Sequence, residues 1–511
     1  MTEAKDVTRR NYLKYGGAAV VAVAAAAAGY AAGQAGKPTA PGVTTTVTET
    51  VTATGPEPTE YEKIEDFLSR VSAPYKGQTV RIIAESTASS MWLNENKRAK
   101  FEELTGIKVE YELVGWDDVM RKARLDASQK GGAYDLYYRD EAEIIAEDFE
   151  NGYIIDWYKF ADGHKDLLWP GFNVSDLIPV KYFTYKGMLG GTPFEHFIRT
   201  YVYRKDLFED PAEKAAFKAR YGWDLRPAET WAEYAQIAEF FTRPDQDLYG
   251  HVCEPNPMSL PADVFVGIHG YGITAFGYSI GRRASYKNGG LLDSHGAIAW
   301  LKRYISLLKY APEGVLNFTW DDEGASYTTG RIAQGWVWTE NFAYIQDPEK
   351  SKVAGNILCA LPPVEPKFYR YNVPTIYADA GVYAMASSGA HKEAAFLWQQ
   401  WASCQETQIE QMRALKGIVP RTTLLNSTLP DELDAKYKTN IYATIRRAHV
   451  EGLLLGPMIP MPEEPVARDI LWKLVADSLV EKISAEEALT TAAAQIDEKL
   501  KSMGWPDLPG Y

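Results

Sequence analysis

Cysteine is nearly absent: the 511 residues hold only Cys253, Cys359 and Cys404. At most one disulfide can form, and no Cys-x-x-Cys or His-x-x-x-His spacing occurs, so neither a disulfide scaffold nor a structural zinc is expected. There are only seven histidines. The chain also lacks a Gly-x-Gly-x-x-Gly turn and a phosphate loop, which leaves nucleotide chemistry without a foothold. Positive charge is in deficit, with 54 Lys and Arg against 68 Asp and Glu and a formal net charge of −14. A field of that sign repels phosphate and makes nucleic acid a poor partner. The first sixty residues contain five basic and five acidic side chains, so the acidity belongs to the part that follows.

What the chain does contain is an ordinary globular balance, 46% hydrophobic and 24% charged, which argues against disorder and against a polytopic membrane protein. The aromatic complement is large: 14 Trp, 32 Tyr and 18 Phe. That is more than a core of this size usually holds, so some rings are expected to line a surface that binds something flat and partly apolar.

The N-terminal region reads as an address followed by a tether. Thr8-Arg9-Arg10-Asn11-Tyr12-Leu13-Lys14 precedes an Ala-rich apolar run from Gly16 to Ala32, the pattern of a twin-arginine export signal, with a membrane anchor as the alternative for residues 1–36. Residues 37–60 form a linker. Pro38 to Thr59 contains nine threonines, four prolines and no aromatic residue, too little apolar surface to offset chain entropy. The apolar run is at the lower limit for spanning a bilayer, and no cysteine stands near it to carry a lipid. Cleavage and retention both stay open. Membrane contact is expected only through this segment, and the sequons at Asn173, Asn317 and Asn426 fit an exported protein.

Beyond the linker, Thr79 to Glu85 reads as a buried strand, Ser86 to Thr105 as a helix closed by Gly106, and Ile107 to Leu113 as an alternating strand. Asp117 caps a helix to about Gln129, and Tyr134 to Tyr138 supplies a third strand. This β-α-β-α-β order predicts an α/β fold with a parallel sheet. Past Leu189 the character changes: Thr200 to Tyr203 is a short extended segment, after which helical patterns dominate. A capping box at Thr230-x-x-Glu233 opens a helix with Trp231 on its buried face. Ile298 to Leu308 is amphipathic, a strand returns near Val382 to Met385, one helix is expected from about His391 to Met412, and Ser484-x-x-Glu487 opens the last helix.

Gly277-Tyr278-Ser279-Ile280-Gly281 matches the pattern of a nucleophile elbow, but the residues after it are loop-like, and a surface turn explains it better. Carboxylates abound. Asp135 with Asp140, or Glu195 with Glu340, could form the acid pair of a glycoside hydrolase, and they are equally suited to accepting hydrogen bonds from sugar hydroxyls.

The order of segments resembles the family 1 extracellular solute-binding proteins of ABC importers, the group that includes maltose-binding protein. The likeness runs from about Thr79 to Leu500. It is carried by Phe101-Glu-Glu-Leu-Thr-Gly-Ile-Lys-Val109, Tyr134-Asp-Leu-Tyr-Tyr138, Gly190-Gly-Thr-Pro-Phe194 leading to Tyr203-Arg-Lys-Asp-Leu-Phe208, and Pro227-Ala-Glu-Thr-Trp-Ala-Glu233. The segments Thr329 to Trp338, Ala380 to Ala386 and Gly417-Ile-Val-Pro-Arg421 agree with it. The resemblance implies a two-lobed periplasmic-binding-protein-like fold with a ligand cleft between lobes joined by crossing hinge segments. Lobe one would be 61–198 plus 372–416, and lobe two 199–371 plus 417–511.

It further implies a monomeric, non-catalytic receptor outside the cytoplasm, at the cell surface or in the periplasm, that captures a carbohydrate and delivers it to ABC permease subunits, without cofactor or metal. A secreted glycoside hydrolase, or the same fold with a polyamine or peptide ligand, are the competing readings. Mapped onto the family, the loop from Glu85 to Trp92 would face the cleft, although Trp92 could equally pack inside. Asp140 sits where a hydroxyl acceptor is often placed, and Glu195 and His196 enter the first hinge. Trp336 and Trp338 share a face and resemble a sugar-stacking platform, with core packing as the alternative. Glu340 lies beside them, Tyr377 and Asp379 lie where the chain re-enters lobe one, and Arg421 would reach in from the second crossing.

Overall fold

The computed structural model describes residues 61–504, apart from 257–258, 274–282, 289, 369–375, 418–420 and 456–463. The export-signal, anchor and linker readings, and Ser279 with its elbow pattern, lie outside the described residues.

In chain order the described strands are β1 Thr79–Glu85, β2 Lys108–Val114, β3 Leu136–Arg139, β4 Thr184–Tyr185, β5 Met188–Leu189, β6 Thr192–Pro193, β7 Phe197–Arg204, β8 Gln334–Trp338, β9 Ile357–Ala360, β10 Ile376–Asp379, β11 Val382–Met385 and β12 Leu454–Leu455. They build two five-stranded sheets and a small hairpin of β4 and β5. The first sheet has the order β2-β1-β3-β11-β6, with β1 parallel to both β2 and β3. Val80, Ile82, Ile83 and Ala84 are all buried, as a strand covered on both faces requires. The sheet is mixed, not wholly parallel, because β11 runs antiparallel to β3 and to β6. The second sheet has the order β12-β10-β7-β8, with β9 also on β7. What reads as a short extended segment at Thr200 to Tyr203 is thus the core of an eight-residue central strand.

Two helices expected to be continuous are each broken. The first runs Ala88–Asn96 and Arg98–Thr105, interrupted at Lys97, whose ammonium is drawn between the rings of Trp92 and Trp401 (5.9 and 5.2 Å) and pairs with Glu410 at 2.7 Å. It ends as expected at Gly106, whose φ of 70° suits a residue without Cβ. The second runs Lys392–Ser403 and Gln405–Arg413, with Cys404 extended between them. The Thr230/Glu233 capping box is formed in both directions, at 3.2 and 3.1 Å, and Ser484 accepts from the Glu487 amide at 3.0 Å.

Two of the chain's passages between the sheets run side by side. β6 belongs to the first sheet and β7 to the second, while β10 belongs to the second and β11 to the first. The Phe194 amide donates to the Gly381 carbonyl at 3.0 Å, tying the two passages together. The expected lobe boundary at 372 is therefore corrected: Ile376–Asp379 pairs with β7, because its backbone completes the second sheet. The assignment of everything after 417 to lobe two is corrected as well. Arg421 bridges to Leu177, and its guanidinium is held by Asp176 at 3.2 Å on the first-sheet side. All three cysteines are free and buried.

The aromatic surplus goes largely into cores. Trp231, Trp300 and Trp336 pack together under the second sheet, with ring centroids 4.7–5.5 Å apart. Phe101 meets Trp398 at 5.0 Å, and Phe194 stacks on Tyr383 at 4.1 Å in the first core.

Candidate functional site

The carboxyl ends of β1, β2 and β3 open on one side, the place where an α/β sheet presents its loops to a ligand. β1 ends at Glu85 and turns through Ser86 to Thr87, whose hydroxyl accepts from the Ser90 amide at 3.0 Å and so caps the next helix. The same hydroxyl donates to Glu195 Oε2 at 2.9 Å, joining the first sheet to the crossing segment. β2 ends before Trp116, and the Trp116 indole donates to Asp140 Oδ2, just past β3, at 2.7 Å.

From the second-sheet side come Trp320 and Asp321, which start the helix Trp320–Thr328, and Glu340, Asn341 and Tyr344, which follow β8. A cavity of about 90 Å³ is lined from both sides, by Glu85, Thr87 and Trp116 on one and by Trp320, Glu340 and Tyr344 on the other. Trp116 also borders a second, larger cavity of about 230 Å³, with Arg139, Glu141 and Arg468 in its wall.

The electrostatics of this region are one-sided. Burial, and then the charges of Glu340, Asp140 and Glu195, hold the Glu85 carboxyl well above the ordinary carboxylate range. Burial followed by Glu195, Asp321 and Asp140 does the same to Glu340. Asp140 is raised by burial and by Glu141, against the indole bond from Trp116, and Asp379 by burial and by Asp140. Burial lifts Glu195 to about 7, opposed by the Thr87 hydroxyl. Burial depresses His196 to about 3, so its imidazole is neutral.

The residues singled out in the sequence divide into three groups. Glu85 and Glu340 line the cavity; Asp140 and Glu195 stand beside it, each with one buried carboxylate oxygen that has no hydrogen-bond partner among the described residues. Asp379, Tyr377 and Trp338 form a neighbouring group. Tyr377 meets Trp338 edge-on at 5.7 Å, and the Trp338 indole donates to Glu254 at 3.1 Å over the buried Arg199. Four expectations are corrected. Trp336 shares a face with Trp338, but that face is the one covered by helices, and Trp336 is 1% exposed in the core. Trp92 lies inside, because the loop after β1 is only two residues long and its helix buries the ring. Arg421 is 3% exposed among Asp176, the Ser403 carbonyl and the Asn173 carbonyl, away from the cavity. His196 is fully buried, with neither ring nitrogen bonded among the described residues.

Sequence reasoning missed Trp116, Trp320 and Tyr344. Trp116 had a usable signal, since an aromatic residue directly after an alternating strand lies at the strand's carboxyl end. Trp320 and Tyr344 had none, because only folding brings them opposite β1.

The family model for bacterial extracellular solute-binding proteins matches residues 98–440. Similar solved structures include a ribitol complex of an ABC transporter solute-binding protein from Agrobacterium radiobacter K84, 21% identical with a TM-score of 0.69, aligned over 83% of this chain and 99% of that one. A D-mannitol complex from Agrobacterium vitis S4 is 19% identical with a TM-score of 0.68, over 84% and 100%. Maltose-bound MalE3 of T. maritima is 16% identical with a TM-score of 0.68, over 83% and 100%. At these identities the likeness establishes the two-lobed fold. No curated protein sequence matches the chain.

Proposed function

The chain belongs to the bacterial extracellular solute-binding proteins, and from that premise we propose that it captures a carbohydrate or polyol between its two sheets and passes it unchanged to an ABC permease. The observation that carries this reading is the meeting of carboxylates and aromatic rings at one cavity from both sides. Glu85 and Glu340 offer acceptors for hydroxyls, and Trp116, Trp320 and Tyr344 offer faces for the C–H surface of a sugar. The side-by-side crossings at Phe194–His196 and Ala380–Gly381 act as the hinge, and closure is favoured by a ligand that touches both walls. Ribitol, D-mannitol and maltose in the similar structures support the ligand class.

Isothermal titration with ribitol, mannitol, maltose and maltotriose tests the reading, with the injected ligand recovered and analysed afterwards. Saturable binding of one equivalent, recovered intact, is expected. Absence of binding to any sugar or polyol overturns the carbohydrate assignment, and turnover overturns the non-catalytic one. We assign export to the twin-arginine route, with the Thr/Pro-rich segment spacing a monomeric receptor off the membrane. Replacing Arg9 and Arg10 by Lys should strand the protein in the cytoplasm.

A further inference from the structure

Trp116 is the one residue shared by the two cavities, and the wall of the larger one is lopsided. Trp116 and Met120 belong to the helix Trp116–Gln129, while Arg139, Glu141 and Ile144 belong to β3, to the helix Ala142–Glu150 and to the link between them, all on the first-sheet side. Among the described residues, Arg468 alone comes from the other side. Its helix, Glu464–Leu479, packs on Ala485–Ser502 and buries Leu471 and Val475 in the core that holds Trp300 and Trp336. Arg468 reaches across this divide, and its Nη1 donates to Glu141 Oε1, 327 residues earlier in the chain.

The side chains of Arg468 and Glu141 are 19% and 14% exposed, so salt screens the pair little, and each keeps enough contact with water to limit the cost of desolvation. A guanidinium, more weakly hydrated than an ammonium, suits such a place. Neither residue lines the smaller cavity, but Glu141 directly follows Asp140, which holds the Trp116 indole at 2.7 Å. Hinge opening would pull the pair apart. We propose that Glu141 and Arg468 are positioning residues for the ligand cavity, an ion pair that holds its two walls together and so sets affinity without touching the ligand. This rests on the reading of two walls that close on a ligand. A variant that lowers the closed population of the free protein weakens every ligand by the same factor, because the bound contacts are unchanged.

The test measures the separation of the walls directly. Arg121, on Trp116–Gln129, and Ala325, on Trp320–Thr328, are exposed a little over one turn beyond the cavity-lining Trp116 and Trp320, and the three native cysteines are buried. Spin labels on Arg121→Cys and Ala325→Cys in the full chain, read by double electron–electron resonance, report the distance across the cleft. Without ligand, Arg468→Gln and Glu141→Gln should each shift the distances to longer values. Each should also weaken those of ribitol, mannitol and maltose that bind, by one common factor of about fivefold or more in calorimetry. The double variant should open less than either single one, because no charge is left stranded when the walls meet. Thermal unfolding confirms that each variant is folded, and either single variant decides the matter if the other is not. Unchanged distances in the folded single variants, or a double variant that shows the sum of both effects, overturn the inference. If no sugar or polyol binds, the carbohydrate reading fails while the distances still decide this one.

Discussion

Gly381 sits where the two crossings touch, and replacing it with Ala tests whether that junction is as tightly built as its geometry indicates. A Cβ there would overlap Glu195 Oε1 and lie 2.7 Å from both Glu195 Cγ and Tyr138 Cε2. Gly381 is not in the left-handed region, so the cost is steric alone. Neither neighbour can yield easily, since Glu195 and Tyr138 are both fully buried. Overpacking of this kind costs about 1–3 kcal/mol. Displacing Glu195 also breaks its bond with the Thr87 hydroxyl, a further loss of about 1 kcal/mol. Urea unfolding of Gly381→Ala should therefore show a loss of about 2–4 kcal/mol at unchanged m-value. In a Glu195→Ala background the same substitution should cost at least about 1 kcal/mol less, because only the Tyr138 edge still obstructs it. A loss below about 0.5 kcal/mol, or strict additivity of the two changes, would refute the tight-junction argument.

Three other outcomes follow from the same structure. His196, His251 and His269 are each depressed to about 3 by burial, so the unfolded chain binds more protons than the folded one between about pH 6.5 and 3. Stability should fall as pH drops through that window. Glu195, raised to about 7, acts oppositely, its contribution being lost as pH rises from about 4.5 through 7, and Glu195→Gln should flatten that part of the urea-midpoint profile. Trp116→Ala should weaken ligand binding about tenfold with little effect on unfolding, whereas Trp336→Ala should cost about 3–5 kcal/mol of stability without altering the affinity of the folded fraction. Arg421→Ala should destabilise by about 3–5 kcal/mol, because it strands the buried Asp176 carboxylate, and should leave affinity unchanged in calorimetry.

Local pattern alone was enough to define β1, β2 and the helices opened by Thr230 and Ser484, because period-2 or period-3.6 burial and capping hydroxyls act over a few residues. The shared order of weak motifs was enough to reveal the family. Glu85, Asp140, Glu195 and Glu340, singled out from the sequence and its family resemblance, come together at or beside one cavity.

Tertiary structure decided the rest. Trp336 and Trp338 are indistinguishable by spacing, yet one is a core residue and the other is half-buried at the end of β8, because helices that start at Trp231 and His295 cover only part of the strand. Lys97 breaks a helix for the sake of two rings, one of them some three hundred residues away. Arg421 turns from the cleft to Asp176, a partner distant in sequence. Local sequence specifies which side chains can bury, cap or ionise, since those tendencies depend on near neighbours. Which carboxylates face one another across a cavity depends on two sheets meeting, and that is set only by the packing of segments far apart in the chain.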